Sequence, residues 1–242
     1  MILLFTDFGD ADPYVGQIHL RINSIAGPVP VIDMLHSVPA FNVRAAAYLL
    51  AHYCPPLPEA VYCCVVDPGV GGDRQPLLIE IDGCYYVGPD NGLFEILVRR
   101  HPSARIMKIE WQPDSLAPSF HGRDLFAPVA AFLALKKEVK CSPAELADFA
   151  EWPDDLDEIV FIDHYGNALT GWRGGQLAAD SEIEFKGRII THANTFTGVP
   201  VGSLFWYENA NGLVELAINQ GSAADFTDAC VGDRIRFAER QA

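Results

Sequence analysis

The chain has six cysteines (Cys54, Cys63, Cys64, Cys84, Cys141 and Cys230), but no two stand at a C-x-x-C spacing. That lack argues against a zinc site. Cys63 and Cys64 are adjacent in an apolar run and point to opposite faces of a strand. Six reduced, mostly buried thiols in a cytoplasmic protein are expected. Basic residues are also scarce, 17 against 32 acidic, for a formal net charge of −15. A field of that sign disfavours nucleic acid and anionic membranes, favours cationic small molecules and aids solubility. No apolar run approaches the roughly 18 residues of a membrane span. The opening Met1-Ile2-Leu3-Leu4-Phe5 turns polar at Thr6-Asp7, so it reads as a buried strand rather than a signal peptide. Internal repeats and low-complexity segments are absent. What is present is a chain of 242 residues, 50% hydrophobic and 20% charged. That supports a packed core in one large domain or two small ones.

The first part alternates strand and helix. Ile2 to Phe5, Val29 to Leu35 and Ala60 to Val66 read as strands, the last buried on both faces. Tyr14 to Ala26, Val43 to Cys54, Gly92 to Arg100 and Leu125 to Lys137 read as helices. Asp82-Gly83 breaks Leu77 to Val87 into a hairpin. Ser142-Pro143-Ala144-Glu145 reads as a capping box opening a further helix. This rhythm predicts an α/β domain over residues 1–154, with a mostly parallel sheet flanked by helices. Beyond Trp152-Pro153-Asp154-Asp155 come short strands: Glu158 to Ile162, Ala168 to Trp172, Ile183 to Phe185, Arg188 to Ile190, Leu204 to Tyr207, Leu213 to Ile218 and Asp233 to Phe237. Lys186-Gly187 and Asn211-Gly212 mark turns between them. No helix is expected there, and residues 155–242 are read as a small β-barrel or sandwich.

Three strands of the first part end in acid-bearing turns, at Asp7, Asp67 and Asp90. Ligands of open α/β sheets bind beyond the carboxyl ends of strands. An ionised carboxylate accepts hydrogen bonds from both hydroxyls of a ribose. The bland alternative is that these aspartates cap turns and helices. The stretch Val65-Val66-Asp67-Pro68-Gly69-Val70-Gly71-Gly72-Asp73-Arg74 and the turn Ser119-Phe120-His121-Gly122-Arg123-Asp124 together supply an acid, a permanent cation and an imidazole. That set suits holding and activating a water molecule. In the second part, amides stand beside aromatics and glycine in Asp163-His164-Tyr165-Gly166-Asn167, Thr195-Phe196, Tyr207-Glu208-Asn209-Ala210-Asn211 and Asn219-Gln220-Gly221. Such groups read a purine edge and stack on its face, although turn asparagines alone explain most of the pattern.

From Thr6-Asp7-Phe8-Gly9 to Asn219-Gln220-Gly221-Ser222-Ala223-Ala224 the chain resembles the S-adenosylmethionine hydroxide adenosyltransferases, relatives of the fluorinase and chlorinase enzymes. The resemblance implies an N-terminal α/β domain, a C-terminal β-barrel, and a homotrimer with ligand sites at subunit interfaces. It implies hydrolysis of S-adenosyl-L-methionine to adenosine and L-methionine, with Asp67, Arg74 and His121 catalytic. By the same resemblance Asp7 binds the ribose hydroxyls, Asp12 lines that pocket and Phe41 packs on the ligand. Asp163 holds the α-amino group, Phe196 stacks near the adenine, and Ala210 and Asn219 meet the carboxylate and the purine. Asn167, Tyr207 and Asn209 complete the expected substrate contacts. The halogenating relatives place a serine, a tyrosine and a threonine where this chain has Gly122, Asp67 and Val70. A carboxylate at Asp67 repels a halide, which favours the water-using branch.

Displacement of a neutral thioether from a sulfonium needs neither a general acid nor a metal, so no cofactor is expected. Two other readings remain open on the sequence. One is a metal-dependent phosphoester hydrolase using Asp7, Asp67, Asp90 and His121. The other is a nucleoside-binding protein with negligible turnover.

Overall fold

In the computed structural model, which describes residues 1–237, the first apolar run forms β1 (Ile2–Thr6), with every residue buried. It is followed by α1 (Pro13–Ala26), β2 (Val31–Leu35), α2 (Val43–Tyr53), β3 (Val61–Val65), the hairpin β4 (Pro76–Ile81) and β5 (Cys84–Pro89), α3 (Glu95–Arg99), β6 (Arg105–Ile109), α4 (Ala127–Ala134) and β7 (Cys141–Pro143). The hairpin turns at Asp82 (φ 50°) and Gly83 (φ 78°), the left-handed pair that matches strand twist. These elements belong to one unit, Met1–Ala150; a second unit spans Glu151–Ala242.

The first unit is built on a seven-stranded sheet in the order β2-β1-β3-β5-β4-β6-β7. The expected mostly parallel sheet is parallel only from β2 through β1 and β3 to β5. The pairings of β4 with β5, β4 with β6 and β6 with β7 are antiparallel. β4 therefore runs against the parallel strands, β6 runs with them, and β7 runs against them again. Ile2, Leu4, Cys63 and Val65 pack with Ile18 and Ile22 of α1 and with Val129 and Ala130 of α4. On the other face Leu3, Phe5, Tyr62 and Cys64 are equally buried. There Tyr62 and Tyr86 stack at 4.8 Å, and their hydroxyls donate to the carbonyls of Pro55 and Cys54 beyond α2.

Two expectations for helices need correcting. The capping-box helix does not form: Ser142 lies in β7, and its hydroxyl donates to Glu110 at 2.9 Å. The Ala144 N–H donates to the Ile106 carbonyl, so the ladder with β6 overrides the local signal. The helix expected from Leu125 to Lys137 is α-helical only over Ala127–Ala134, and a π-helical turn, Gly122–Phe126, precedes it.

The second unit contains β8 (Leu156–Ile162), β9 (Ala168–Arg173), β10 (Ile183–Phe185), β11 (Arg188–Ile190), β12 (Leu204–Glu208), β13 (Leu213–Ile218), α5 (Ala223–Thr227) and β14 (Arg236–Phe237). Contrary to expectation a helix is present: α5 is five residues long, and its first turn is capped by the Ser222 hydroxyl accepting from the Asp225 N–H at 3.0 Å. The strands form a four-stranded sheet, β12-β13-β9-β8, and a three-stranded sheet, β11-β10-β14. Isolated bridges join Glu158 to Arg234 and His192 to Trp206. Trp206, Phe185, Ile183, Val214 and Leu216 form the core between them.

Candidate active site

Strands β1 and β3 are parallel neighbours, so the loops after Thr6 and Val65 leave the sheet at the same edge. A cavity of about 370 Å³ opens there. Its walls include Asp7, Asp12, Phe41, Asp67, Val70, His121 and Gly122. Asp90 is not among them: its carboxylate accepts from the Ala147 N–H at 3.1 Å and is nearly buried. The three strand-end acids therefore do not gather, which removes one ligand from the phosphoesterase reading. Among the described residues no group of three or more His, Cys, Asp or Glu side chains is arranged to hold a metal ion.

Asp67, Arg74 and His121 do meet. Arg74 Nε lies 3.1 Å from both Asp67 carboxylate oxygens, and Nη2 lies 2.5 Å from Oδ2. The same Nη2 lies 2.9 Å from His121 Nδ1. Both side chains of the ion pair are largely shielded from solvent, Asp67 at 4% and Arg74 at 10% exposure, and the guanidinium also sits over the Phe126 ring. A guanidinium only donates, so His121 Nδ1 must accept. A ring with one proton then carries it on Nε2. Burial first, and the Arg74 charge second, push the His121 pKa below the ordinary imidazole value, against the pull of Asp67 and Asp124. The ring is thus neutral near pH 7.

Backbone geometry brings the two loops together. Gly71 has φ 80°, and a Cβ there would lie 2.6 Å from the Pro118 carbonyl oxygen. Only glycine allows the Asp67–Arg74 loop to lie this close to the segment leading into His121. Gly122 is buried, and a Cβ on it would sit 3.2 Å from the Phe8 ring. Phe8, Tyr14 and Phe120 pack edge-on or tilted with centroids 5.7–6.1 Å apart, forming an aromatic wall. Sequence reasoning missed Phe8 and Tyr14 as lining residues; their position beside Asp7 and Asp12 was the available signal.

Asp7 accepts from the Phe41 N–H at 3.1 Å through one oxygen. Burial raises its pKa, the Phe41 and Asp7 backbone N–H groups oppose that rise, and the Asp67 charge adds to it. Phe41 is 77% exposed and held at φ 63°, a conformation that a bulky side chain rarely adopts. Asp12 precedes α1 in the N-cap position, yet its side chain makes no capping hydrogen bond and faces the cavity.

The remaining expected residues lie in the second unit. Asp163 closes a turn, accepting from the Tyr165 and Asn167 N–H groups and from Asn167 Nδ2. The Asn167 Oδ1 is buried without a hydrogen-bond partner. Phe196 packs edge-on against Phe205 and against Tyr207. Asn209 uses its amide oxygen on the Asn211 and Leu213 N–H groups, and its Nδ2 donates to Glu215 at 2.9 Å. The Tyr207 hydroxyl donates to the other Glu215 oxygen at 2.8 Å. Asn219 donates to the Val199 carbonyl, and Ala210 is exposed. Glu215, missed by sequence reasoning, is buried, and burial raises its pKa despite the bonds from Asn209 and Tyr207. A lone acid inside the apolar strand Leu213–Ile218 was the clue.

Comparison with known proteins extends this picture. Residues 2–142 match the family described as SAM hydroxide adenosyltransferase N-terminal domain, and residues 157–236 match the corresponding C-terminal domain. The chain is 35% identical to a protein of Salinispora arenicola named (R)-S-adenosyl-L-methionine hydrolase, over 96% of this chain and 95% of the relative. A Thermus thermophilus protein of the same name is 34% identical over 98% of each chain. A fluorinase from Actinopolyspora mzabensis is 24% identical over 93% of this chain and 92% of the relative. An uncharacterized conserved protein from Thermotoga maritima has a similar structure, with a TM-score of 0.83, 28% identity, and coverage of 99% of this chain and 100% of the other. By these matches the chain belongs to the SAM hydroxide adenosyltransferase family.

Proposed function

We propose that the protein hydrolyses S-adenosyl-L-methionine of R configuration at sulfur, giving adenosine and L-methionine. The observation that carries this reading is the contact of Arg74 with both Asp67 and His121 at the wall of a cavity that also presents Asp7. The names of the relatives supply the substrate and its R configuration. Water attacks the ribose 5′-carbon, the carbon–sulfur bond breaks, and its electron pair stays on sulfur. Methionine leaves as a neutral thioether, so nothing needs to protonate the leaving group.

Arg74 occupies His121 Nδ1, so the ring meets the attacking water with its Nε2–H and orients one oxygen lone pair. The proton lost by water passes to the Asp67 carboxylate. Arg74 stabilises the hydroxide character that develops on the oxygen. A positioned base contributes about 10²–10⁴-fold, and in-line orientation adds to that. Asp7 anchors the ribose hydroxyls, while Asp12 and Phe41 shape the pocket around them. In the second unit Asp163, Asn167, Phe196, Tyr207, Asn209, Ala210 and Asn219 are assigned to the amino acid and purine ends of the substrate. The reading also takes the protein as a cytoplasmic homotrimer with sites at subunit interfaces. Its domains are residues 1–154 and 155–242, the second closing into a small barrel through its isolated bridges. Six free cysteines, and described helices none of which is long and apolar enough to cross a membrane, support that setting.

Metal-free protein incubated with S-adenosylmethionine is expected to release adenosine and methionine in equal amounts. Bound adenosine without methionine release would favour a nucleoside-binding protein instead. Activity that vanishes with a chelator and returns with a divalent cation would contradict the metal-free scheme.

A further inference from the structure

We infer that His36 is a positioning residue that fixes the spacing between the two loops gripping the ribose, Asp7-Phe8-Gly9 and Ala40-Phe41. The inference rests on the reading of Asp7 as the ribose anchor. His36 follows β2, and its ring is 5% exposed. Its Nδ1 lies 2.7 Å from the Thr6 hydroxyl, which is buried at the end of β1. Its Nε2 lies 3.0 Å from Asp33 Oδ1, and His19 Nε2 reaches the same oxygen at 2.8 Å. Burial opposes ionisation of Asp33, but the hydrogen bonds from His36 and His19 outweigh it and hold the carboxyl below its ordinary pKa. An ionised carboxylate only accepts, so His36 Nε2 donates to it. Nδ1 of a ring carrying one proton then accepts from the Thr6 hydroxyl. Thr6 Oγ1 in turn accepts from the Phe8 N–H at 3.2 Å.

The backbone of His36 grips the same loop, its carbonyl accepting from the Gly9 N–H at 2.7 Å. Five residues on, the Phe41 N–H donates to Asp7 at 3.1 Å. The two pocket loops are therefore tied to each other at Phe41 and Asp7, and tied again through His36 and Thr6. An acid, an imidazole and a hydroxyl in a row activate a nucleophile where the hydroxyl meets substrate. Thr6 is 1% exposed, so no substrate reaches it, and the row acts as a clamp. Asp67, Arg74 and His121 lie on other loops. Loosening the clamp displaces Asp7 in ground state and transition state alike, which raises KM and spares kcat.

The test compares wild type with Thr6→Val, Thr6→Ser, His36→Leu and His36→Asn as full chains of measured melting temperature. Each is assayed for kcat and KM with S-adenosylmethionine and for the adenosine dissociation constant by calorimetry. Thr6→Val and His36→Leu are expected to raise KM and the adenosine constant about tenfold, with kcat within about threefold of wild type. Thr6→Ser and His36→Asn keep the hydroxyl and the Nδ1-side acceptor, so they should stay within about threefold in all three quantities. Wild-type KM in Thr6→Val, or a fall in kcat at unchanged KM, would overturn the clamp. If His36→Leu fails to fold, the Thr6→Val and Thr6→Ser pair decides. A wild type that binds adenosine but never releases methionine sinks the hydrolase reading, while the adenosine constants still judge the clamp.

Discussion

Arg74 serves two partners at once, and that sets what each residue of the set can do. Its planar fork meets both oxygens of Asp67, and one of its nitrogens also reaches His121 Nδ1. A lysine keeps the charge but has no fork. Arg74→Lys is therefore expected to lower kcat by about 10²-fold or more while KM moves little, as steady-state kinetics will measure. The pH profile follows from His121. Its pKa is lowered by burial and by Arg74, so the acid limb of the kcat profile should be centred below about pH 6.5. Protonation would turn Nδ1 into a donor facing a guanidinium. The same shift acts on stability. The unfolded chain takes up this proton near pH 6.5 and the folded chain only lower, so the group's contribution is complete above pH 6.5 and is lost as pH falls through the folded value. A kcat profile with its acid limb centred above pH 6.5 would contradict the assigned hydrogen bonds.

At the scale of elements, the site depends on how closely two loops approach. Gly71 at φ 80° lets the Asp67–Arg74 loop lie against Pro118, three residues before His121. Gly71→Ala forces a Cβ toward a carbonyl oxygen in a disfavoured conformation, and is expected to cost about 1–3 kcal/mol in chemical denaturation. It should also lower kcat, because Arg74 and His121 separate. Much of this architecture is legible in the sequence. The runs Ile2 to Phe5 and Ala60 to Val66 announce buried strands, and Asp82-Gly83 and Lys186-Gly187 announce the turns of the β4–β5 and β10–β11 hairpins. The acid, cation and imidazole can be singled out from their motifs. What stays hidden is set by tertiary pairing. Ser142 carries a local helix signal that strand pairing with β6 overrides. Arg105–Ile109 places Ile106 and Met107 side by side and so lacks the strict alternation that marks a strand, and α5 is too short for helical periodicity. The row of Thr6, His36 and Asp33 joins residues up to 30 positions apart, and no spacing rule brings them together.

At the scale of the whole molecule, the net charge of −15 favours a cationic sulfonium over anionic ligands. Salt screens such attraction over about 8–10 Å at physiological ionic strength. KM for S-adenosylmethionine is accordingly expected to rise with added salt while kcat holds, and a KM that falls with salt would exclude this steering. The matches to both family domains span nearly the whole chain, so fold and family rest on the entire molecule, whereas the chemistry rests on a few atoms at one sheet edge. The most direct measurement is single-turnover reaction of the metal-free protein with S-adenosylmethionine in isotopically labelled water, followed by mass spectrometry of both products. Water attack at the ribose 5′-carbon predicts the heavy oxygen in the adenosine 5′-hydroxyl and none in methionine. Label in methionine, or adenosine formed without label, would contradict the mechanism proposed for Asp67, Arg74 and His121.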